Sequence, residues 1–155
     1  MCSFQPAPIT TQRLTLREAA SRDAQVLSAW SAEAGALVPA NPFDEDRKAF
    51  VIERQGGEIV GVIGFKARGR YTEINCWIAP IHRGNGYATE AAPAALAWAR
   101  DNWGRKVVLA GHKTGAEALA SLLIKAGFLY TGDVELRCNP AEGMLVPTRM
   151  MVWLA

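Results

Sequence analysis

The segment from Arg83 to Glu90, which reads RGNGYATE, has the residue types and spacing that suit the binding of an anion. Its two glycines stand at alternate positions, where they let the backbone turn sharply and expose N–H groups. An Ala-rich stretch typical of a helix follows directly. A helix leaves its first N–H groups unpaired and carries a partial positive charge at its start. The segment is therefore predicted to hold a pyrophosphate, and with it a nucleotide-bearing cofactor.

Two other interpretations of this segment remain open at this point. A Gly-rich turn between a strand and a helix can be tight without binding anything. A dinucleotide-binding turn matches less well, because its third glycine would fall at Thr89. The usual place of such a turn is also the first strand–helix unit rather than the middle of the chain.

Composition limits the function classes. The 155 residues suit one domain, half of them are hydrophobic, and the net charge of +2 gives no reason to expect a nucleic-acid partner. The three cysteines are scattered and no secretory h-region precedes them, so a reduced cytoplasmic protein with free thiols is expected. No apolar run approaches the ~20 residues of a membrane span. With only two histidines, no metal site is expected.

Hydrophobic periodicity and turn signals place the elements that must position the anion-binding segment. Strands are predicted at 14–17, 49–54, 59–66, 71–79, 106–110, 128–138 and 144–154, with a hairpin turn at Gly56 and Gly57. Helices are predicted at 21–35, 87–102 and 116–126, with one short helical turn at 44–48. Pro93 lies inside the second helix and is expected to bend it or to move its start. This order predicts one mixed sheet covered by helices.

Several short sequence motifs follow one another along the chain. They are TQRLTLR at 11–17, GVIG at 61–64, EINCWI at 73–78, RGNGYA at 83–88 followed by TEA, and KAGF at 125–128. In this order they resemble the N-acetyltransferases of the GNAT superfamily over nearly the whole chain. More narrowly, they resemble the branch that includes the RimJ/RimL ribosomal-protein N-terminal acetyltransferases.

The resemblance implies a fold and a reaction. The fold would be a single α/β (α+β) domain over residues 1–155, with a mixed, mostly antiparallel sheet of about seven strands flanked by helices. The reaction would transfer an acetyl group from acetyl-CoA to a primary amine, by direct attack in a ternary complex. The amine would be a peptide N-terminal α-amine or a small molecule. A homodimer is compatible with the sequence, and neither nucleic acid nor a membrane is expected as a partner.

The resemblance also assigns residues to the cofactor. The loop and the first helical turn would hold the pyrophosphate, and the pantetheine chain would pair with the end of the strand at 71–79. A backbone N–H at that strand end would polarise the thioester carbonyl. The cofactor-binding residues are then Ile78, Ala79, Arg83, Gly84, Asn85, Gly86, Tyr87, Ala88 and Thr89.

Glu73 is the candidate general base, because it lies on the strand that carries a catalytic or water-orienting Glu in this family. At pH 7, removing a proton costs ~4.6 kcal/mol for a lysine side chain but only about 1 kcal/mol for an α-amino group. The alternative for Glu73 is a solvated carboxylate at a strand edge, or a salt bridge with Arg68 or Arg70. His82 is expected in solvent at the entrance of the loop.

Two departures from the family pattern concern the late helix. That helix often begins with Asn-x-x-Ser, where this chain has Ala116 and Leu119. The Tyr that serves as general acid in many relatives also has no counterpart on this helix, and Tyr130 is only a distant candidate. A non-catalytic acyl-CoA-binding or regulatory module is therefore the competing function, and a nucleotide-binding interaction domain is the third.

Overall fold

The structure is a computed structural model that describes residues 7–30, 46–139 and 143–155. Three helices lie in these ranges: α1 (Ala24–Ala29), α2 (Tyr87–Asn102) and α3 (Glu117–Lys125). The strands are β1 (Ile9–Thr10), β2 (Leu14–Arg17), β3 (Arg47–Arg54), β4 (Ile59–Arg68), β5 (Tyr71–Ile78), β6 (Val107–Lys113), β7 (Leu129–Asn139) and β8 (Met144–Leu154). Short 3₁₀ turns at Ser21–Asp23 and Pro80–His82 complete the described elements.

All eight described strands form one sheet in the order β1-β2-β3-β4-β5-β6-β8-β7. Neighbouring strands are antiparallel except for β5 and β6, which are parallel. The prediction of a mixed, mostly antiparallel sheet flanked by helices is therefore confirmed. The strand beyond the predicted seven is β1, a two-residue strand that pairs Ile9 with Leu16.

The helix predictions are confirmed in part. Helix α2 has the predicted bounds, and Pro93 lies on its exposed side without moving its start. The first predicted helix begins as a 3₁₀ turn followed by α1, and its continuation to Gly35 lies outside the described residues. The prediction of a helical turn at 44–48 is wrong for its last two residues, because strand β3 already begins at Arg47. The first part of that turn also falls outside the described ranges.

The sheet separates two apolar clusters. On one face, the buried side of α2 (Ala91, Ala92, Ala95, Leu96, Trp98 and Ala99) packs with Leu123 of α3 against the sheet. On the other face, Val51, Ile59 and Val62 form a smaller cluster with Leu27 of α1 and with Trp30. These two faces are called the α2 face and the α1 face below. Because strand side chains alternate, each strand contributes to both faces.

The parallel pairing of β5 with β6 is short. It joins only Thr72 with Val108 and Glu73 with Leu109, whereas β4 pairs with all of β5. In the part of the chain that the structure describes, β5 therefore has no strand partner on its β6 side beyond Glu73. We call the resulting gap between the two strands the splay.

Strands β4 and β5 approach each other closely at the open end of the splay. Gly61 of β4 lies opposite Ile78, and a Cβ on Gly61 would stand 2.3 Å from the backbone oxygen of Trp77. The register of β3 with β4 also shifts between Ile52 and Glu53, next to the same place. Glycine is therefore required here for space, since any side chain would push the end of β5 away.

Replacing Gly61 with Ala is expected to lower the free energy of unfolding by about 3 kcal/mol, because the new methyl group meets rigid backbone. Gly111→Ala is the matched control. Its Cβ would meet side-chain atoms of Thr148 (2.7 Å) and Met150 (3.1 Å), which can move. We expect this control to cost about 1 kcal/mol in a urea titration. Equal costs for the two variants would contradict the argument from backbone contact.

An ion-pair network joins β2 to the 3₁₀ turn that precedes α1. Arg17 donates two hydrogen bonds to Asp23, at 2.7 and 2.9 Å, and one to Glu53 at 2.7 Å. Asp23 is buried and also accepts the backbone N–H of Ala20. Hydrogen bonds from Arg17 lower the pKa of Asp23, although burial opposes the shift. The network fixes where α1 meets the sheet.

Asp23→Asn is expected to cost about 3 kcal/mol of stability at pH 7, because it leaves Arg17 partly buried without its main partner. The folded pKa of Asp23 lies below its ordinary value of about 3.9, so its contribution is complete well above pH 4. That contribution is lost as the pH falls through the lowered pKa. The difference in unfolding free energy between wild type and variant should therefore shrink in acid. A difference that stays constant from pH 7 to pH 3 would contradict the stabilising role assigned to the ionised Asp23.

Candidate functional site

The backbone of the predicted anion loop has the geometry of an open helix start. Gly84 and Gly86 have φ angles of 82° and 76°, and Gly86 is the left-handed residue that precedes α2. The N–H of Glu90 makes the first intrahelical hydrogen bond, to the Gly86 carbonyl at 3.1 Å. No side chain caps the helix. The N–H groups of Tyr87, Ala88 and Thr89 therefore precede the first helical hydrogen bond and suit an external acceptor.

The loop is tied to the end of β5. Arg83 donates from Nε to the backbone carbonyl of Ile78 at 2.8 Å, and its guanidinium lies 5.8 Å from the ring centre of Trp77. Asn85 closes the loop on itself by donating to the carbonyl of His82 at 2.9 Å. The structure thus brings together the predicted loop residues and the predicted strand end. The loop and the open end of the splay form one continuous surface.

The backbone groups at the end of β5 divide between β4 and the splay. Ala79 donates its N–H to the carbonyl of Val60 at 2.9 Å, so its N–H faces β4. Because successive residues of a strand point their N–H groups to opposite sides, the N–H groups of Ile78 and Cys76 face the splay. Of the two predicted pantetheine contacts, Ile78 therefore presents its backbone N–H to the gap, and Ala79 does not.

Glu73 lies at the closed end of the splay. It is the last residue of β5 that pairs with β6, and its side chain is 10 % exposed. Its carboxylate contacts the guanidinium of Arg137 on β7, which also donates to Glu135 at 2.7 and 2.9 Å. A salt bridge was one of the predicted alternatives, and Arg137 was not among its predicted partners. The side chain of Arg68 lies outside the description.

The two faces of β5 carry different chemistry. Glu73 and Trp77 alternate onto the α1 face, where Trp77 packs against Trp30 with ring centres 5.0 Å apart. Cys76 lies between them in sequence and packs on the α2 face. Burial raises the pKa of the Cys76 thiol to about 12. A thiol held protonated in this way is not suited to act as a covalent acyl carrier.

His82 and Tyr130 have partners that the sequence did not predict. The His82 side chain is 12 % exposed and its Nε2 lies 2.7 Å from Glu58, so the expectation that it lies in solvent is wrong. Tyr130 of β7 lies 2.8 Å from Nε2 of His112, whose Nδ1 lies 2.9 Å from the Lys113 carbonyl. Because a carbonyl oxygen can only accept, His112 donates from Nδ1 to the carbonyl of Lys113.

The start of α3 offers no polar side chain where the family pattern has two. Ala116 precedes the helix and Leu119 is exposed in its first turn. Within the described ranges, no group of three or more His, Cys, Asp or Glu side chains could hold a metal ion. None of the helices described in those ranges has both the length and the apolar composition needed to cross a bilayer.

Comparison with known proteins gives a family and a set of similar folds. The family model for the acetyltransferase (GNAT) domain matches residues 30–129. No protein of curated function matches the chain in sequence. A similar backbone is found in spermidine N-acetyltransferase from Vibrio cholerae in complex with CoA and spermine. That structure is 19% identical with a TM-score of 0.77, over 93% of this chain and 96% of that chain.

Two further solved structures are similar to the same extent. An acetyltransferase of the GNAT family from Bacillus anthracis is 20% identical with a TM-score of 0.76, over 96% of this chain and 98% of that one. A dodecameric structure of the Vibrio cholerae enzyme has the same identity and TM-score, over 93% and 95%.

Identities at this level establish a common fold, whereas the family model covers well over half of the chain. The matched range includes the splay, Glu73 and the whole anion loop. The chain belongs to the GNAT family and is an N-acetyltransferase that takes its acetyl group from acetyl-CoA.

Proposed function

We propose that residues 1–155 form one N-acetyltransferase domain in which the acceptor amine attacks acetyl-CoA directly, in a ternary complex. The observation that carries this proposal is the splay. Strand β5 leaves β6 after Glu73, and its free edge leads to the loop through the Arg83–Ile78 contact. The gap between the strands would then connect the carboxylate of Glu73 at its closed end with the helix start at its open end. A half-buried, protonated Cys76 supports direct attack over a covalent enzyme intermediate.

The loop residues fit a pyrophosphate. A Cβ placed on Gly84 would meet no atom within 4 Å, so the space in front of the loop is open. The backbone N–H groups from Gly84 through Ala88 would donate to the phosphate oxygens, Thr89 would add its hydroxyl and Arg83 its charge. The side chain of Asn85 holds the loop closed through His82.

The edge of β5 fits the pantetheine arm. The N–H groups of Cys76 and Ile78 face the splay, where they can donate to an extended chain as a neighbouring strand would. When bound, acetyl-CoA supplies the activated thioester. The Ile78 N–H is the backbone donor that polarises the thioester carbonyl, since Ala79 already donates to Val60. Ala79 then contributes by fixing the strand end against β4.

Glu73 is proposed as the general base, and its surroundings indicate the class of amine. Glu73, Glu135 and Arg137 form a cluster with two negative charges and one positive charge. Arg137 competes for the lone pairs of Glu73, so an amine that loses its proton easily is favoured. An α-amine meets this condition better than a lysine side chain, by about 3.7 kcal/mol at pH 7.

We therefore propose a peptide N-terminal α-amine as the acceptor, as in the RimJ/RimL branch. The competing acceptor is a polyamine, since the similar enzyme from Vibrio cholerae was solved with spermine. The proposal includes a cytoplasmic location, supported by the unpaired cysteines Cys76 and Cys138. It also includes self-association, supported by exposed apolar side chains on β7 and β8 and by the dodecameric state of that similar enzyme.

An acceptor panel tests the proposed function. The three acceptors are a lysine-free peptide with a free α-amine, an N-blocked peptide with one lysine, and spermidine. We expect kcat/KM for the free α-amine to exceed the other two by at least about tenfold at pH 7, because its deprotonation costs least. Release of CoA thiol measures turnover and mass spectrometry locates the acetyl group. A preference for spermidine would refute the α-amine assignment. Thermal stabilisation by CoA with no turnover would favour a non-catalytic binding module.

Substitution of Glu73 tests the base. Glu73→Gln is expected to lower kcat by about 10²-fold and to change the shape of the pH–rate profile, because the amide cannot accept the proton. Glu135→Gln is the matched variant, since Glu135 shares Arg137 but is 50 % exposed. It should raise the acceptor KM and keep the shape of the profile. Unchanged turnover and an unchanged profile in Glu73→Gln would show that Glu73 is not the base.

A further inference from the structure

We propose that Arg13 is a positioning residue for the cofactor, which neutralises Glu90 in the first turn of α2 and thereby sets the affinity for the pyrophosphate of acetyl-CoA. The inference rests on the proposed function, since it concerns the same cofactor loop. Arg13 lies in the turn between β1 and β2, far from the loop in sequence.

The Glu90 carboxylate is held by three donors from that turn. The backbone N–H of Arg13 donates to one carboxylate oxygen at 2.8 Å, and its Nε donates to the other at 2.7 Å. The hydroxyl of Thr11 donates to the same group. Thr11 is itself fixed, because its hydroxyl oxygen accepts the N–H of Leu14 at 3.1 Å. The β1–β2 turn therefore clamps the start of α2 through one side chain.

The guanidinium of Arg13 lies against the anion loop as well as against Glu90. Its central carbon stands 5.0 Å from the ring centre of Tyr87. Its Nη2 would be 3.4 Å from a Cβ placed on Gly86, the residue that opens the helix. Arg13 thus contacts Tyr87, the first residue of α2, and lies close to Gly86, which precedes it. It also binds Glu90, the only acidic side chain of the first turn.

Electrostatics explains why this contact matters for the cofactor. A carboxylate in the first turn stabilises a helix, but here it also repels a pyrophosphate at the same helix start. Burial raises the pKa of Glu90, yet the hydrogen bonds from Thr11 and Arg13 outweigh this and lower it. Glu90 is therefore ionised whenever the enzyme works near neutral pH. Only a fixed cation beside it can cancel that charge, and Arg13 is the cation in contact.

The other end of the loop is held by contacts that do not include Arg13. A substitution of Arg13 therefore leaves those contacts in place. His82 binds Glu58, and Glu58 lies 3.2 Å from Arg54 in the ion pair that closes the β3–β4 turn. Neither of these pairs includes Glu90. Removing Arg13 therefore leaves the loop anchored at His82 and at Ile78, and changes chiefly the charge at the helix start.

A double-mutant cycle tests the inference by titration of the purified protein with CoA. Arg13→Ala should raise the Kd about tenfold, because Glu90 is left uncompensated. Glu90→Gln should leave the Kd unchanged or lower it, since the amide oxygen can still accept from Thr11 and from the Arg13 N–H while the negative charge is removed. The double variant should return to within about threefold of wild type. A merely structural clamp gives the opposite pattern, in which both single variants weaken binding and the double variant is no better.

Turnover supplies a second readout. In Arg13→Ala, the KM for acetyl-CoA should rise about tenfold with kcat unchanged, whereas turnover of S-acetylpantetheine, which lacks the pyrophosphate, should not change. Arg13→Lys should restore most of the affinity. Arg100→Ala is the control, because Arg100 lies at the far end of α2 and pairs with Asp101. We expect its KM for acetyl-CoA and its kcat to equal those of the wild type.

The outcomes separate the two proposals. Wild-type protein that binds no CoA overturns the proposed function and this inference with it. Wild-type binding combined with an unchanged Kd in Arg13→Ala overturns only the role of Arg13. Wild-type binding combined with equal losses in Arg13→Ala and Glu90→Gln also overturns it, because charge then plays no part. The melting temperature of each variant shows whether it is folded, and Arg13→Lys gives the charge test if Arg13→Ala is not.

Discussion

The divergence of β5 from β6 is the constraint on which the rest of the structure depends. Buried backbone groups without partners cost free energy, so a strand can leave its neighbour only where its other edge is secure. Strand β4 secures β5 along its whole length, and Gly61 lets the two backbones approach at the open end. Arg83 then binds the carbonyl of Ile78. The N–H groups that remain along this edge are the natural partners of an extended ligand.

The splay lies between two faces of the sheet that carry different functional groups. The loop precedes α2, which packs on one face, while Glu73, Arg137 and the Trp30–Trp77 pair lie on the other. The gap between β5 and β6 offers a direct route between those faces. Cofactor and acceptor can therefore approach from opposite sides and meet at the gap. This arrangement suits direct transfer, because neither substrate must leave before the other binds.

The sequence was a good guide where short-range chemistry decides the structure. The bounds of α2, the positive φ of Gly84 and Gly86, and the strand that carries Glu73 follow from local patterns. The partners of Glu73 and Glu90 could not be predicted, because Arg137 and Arg13 are 64 and 77 residues away. Likewise, the hydrogen bond from the Ala79 N–H to the Val60 carbonyl depends on the register of β4 with β5, which no local pattern fixes.

The energetics of the two proton transfers explain why the unusual start of α3 is tolerable. A departing thiolate with an ordinary pKa of about 8.5 costs only about 2 kcal/mol at pH 7 without any acid. Deprotonation costs about 1 kcal/mol for the proposed α-amine but ~4.6 kcal/mol for a lysine side chain, so the identity of the amine changes the cost of deprotonation and leaves the cost of thiolate departure unchanged. Ala116 and Leu119 offer no polar side chain to a departing thiolate, whereas Glu73, held by Arg137, is the group proposed to take the proton from the amine. Under that proposal, selectivity for the amine depends on the closed end of the splay rather than on α3.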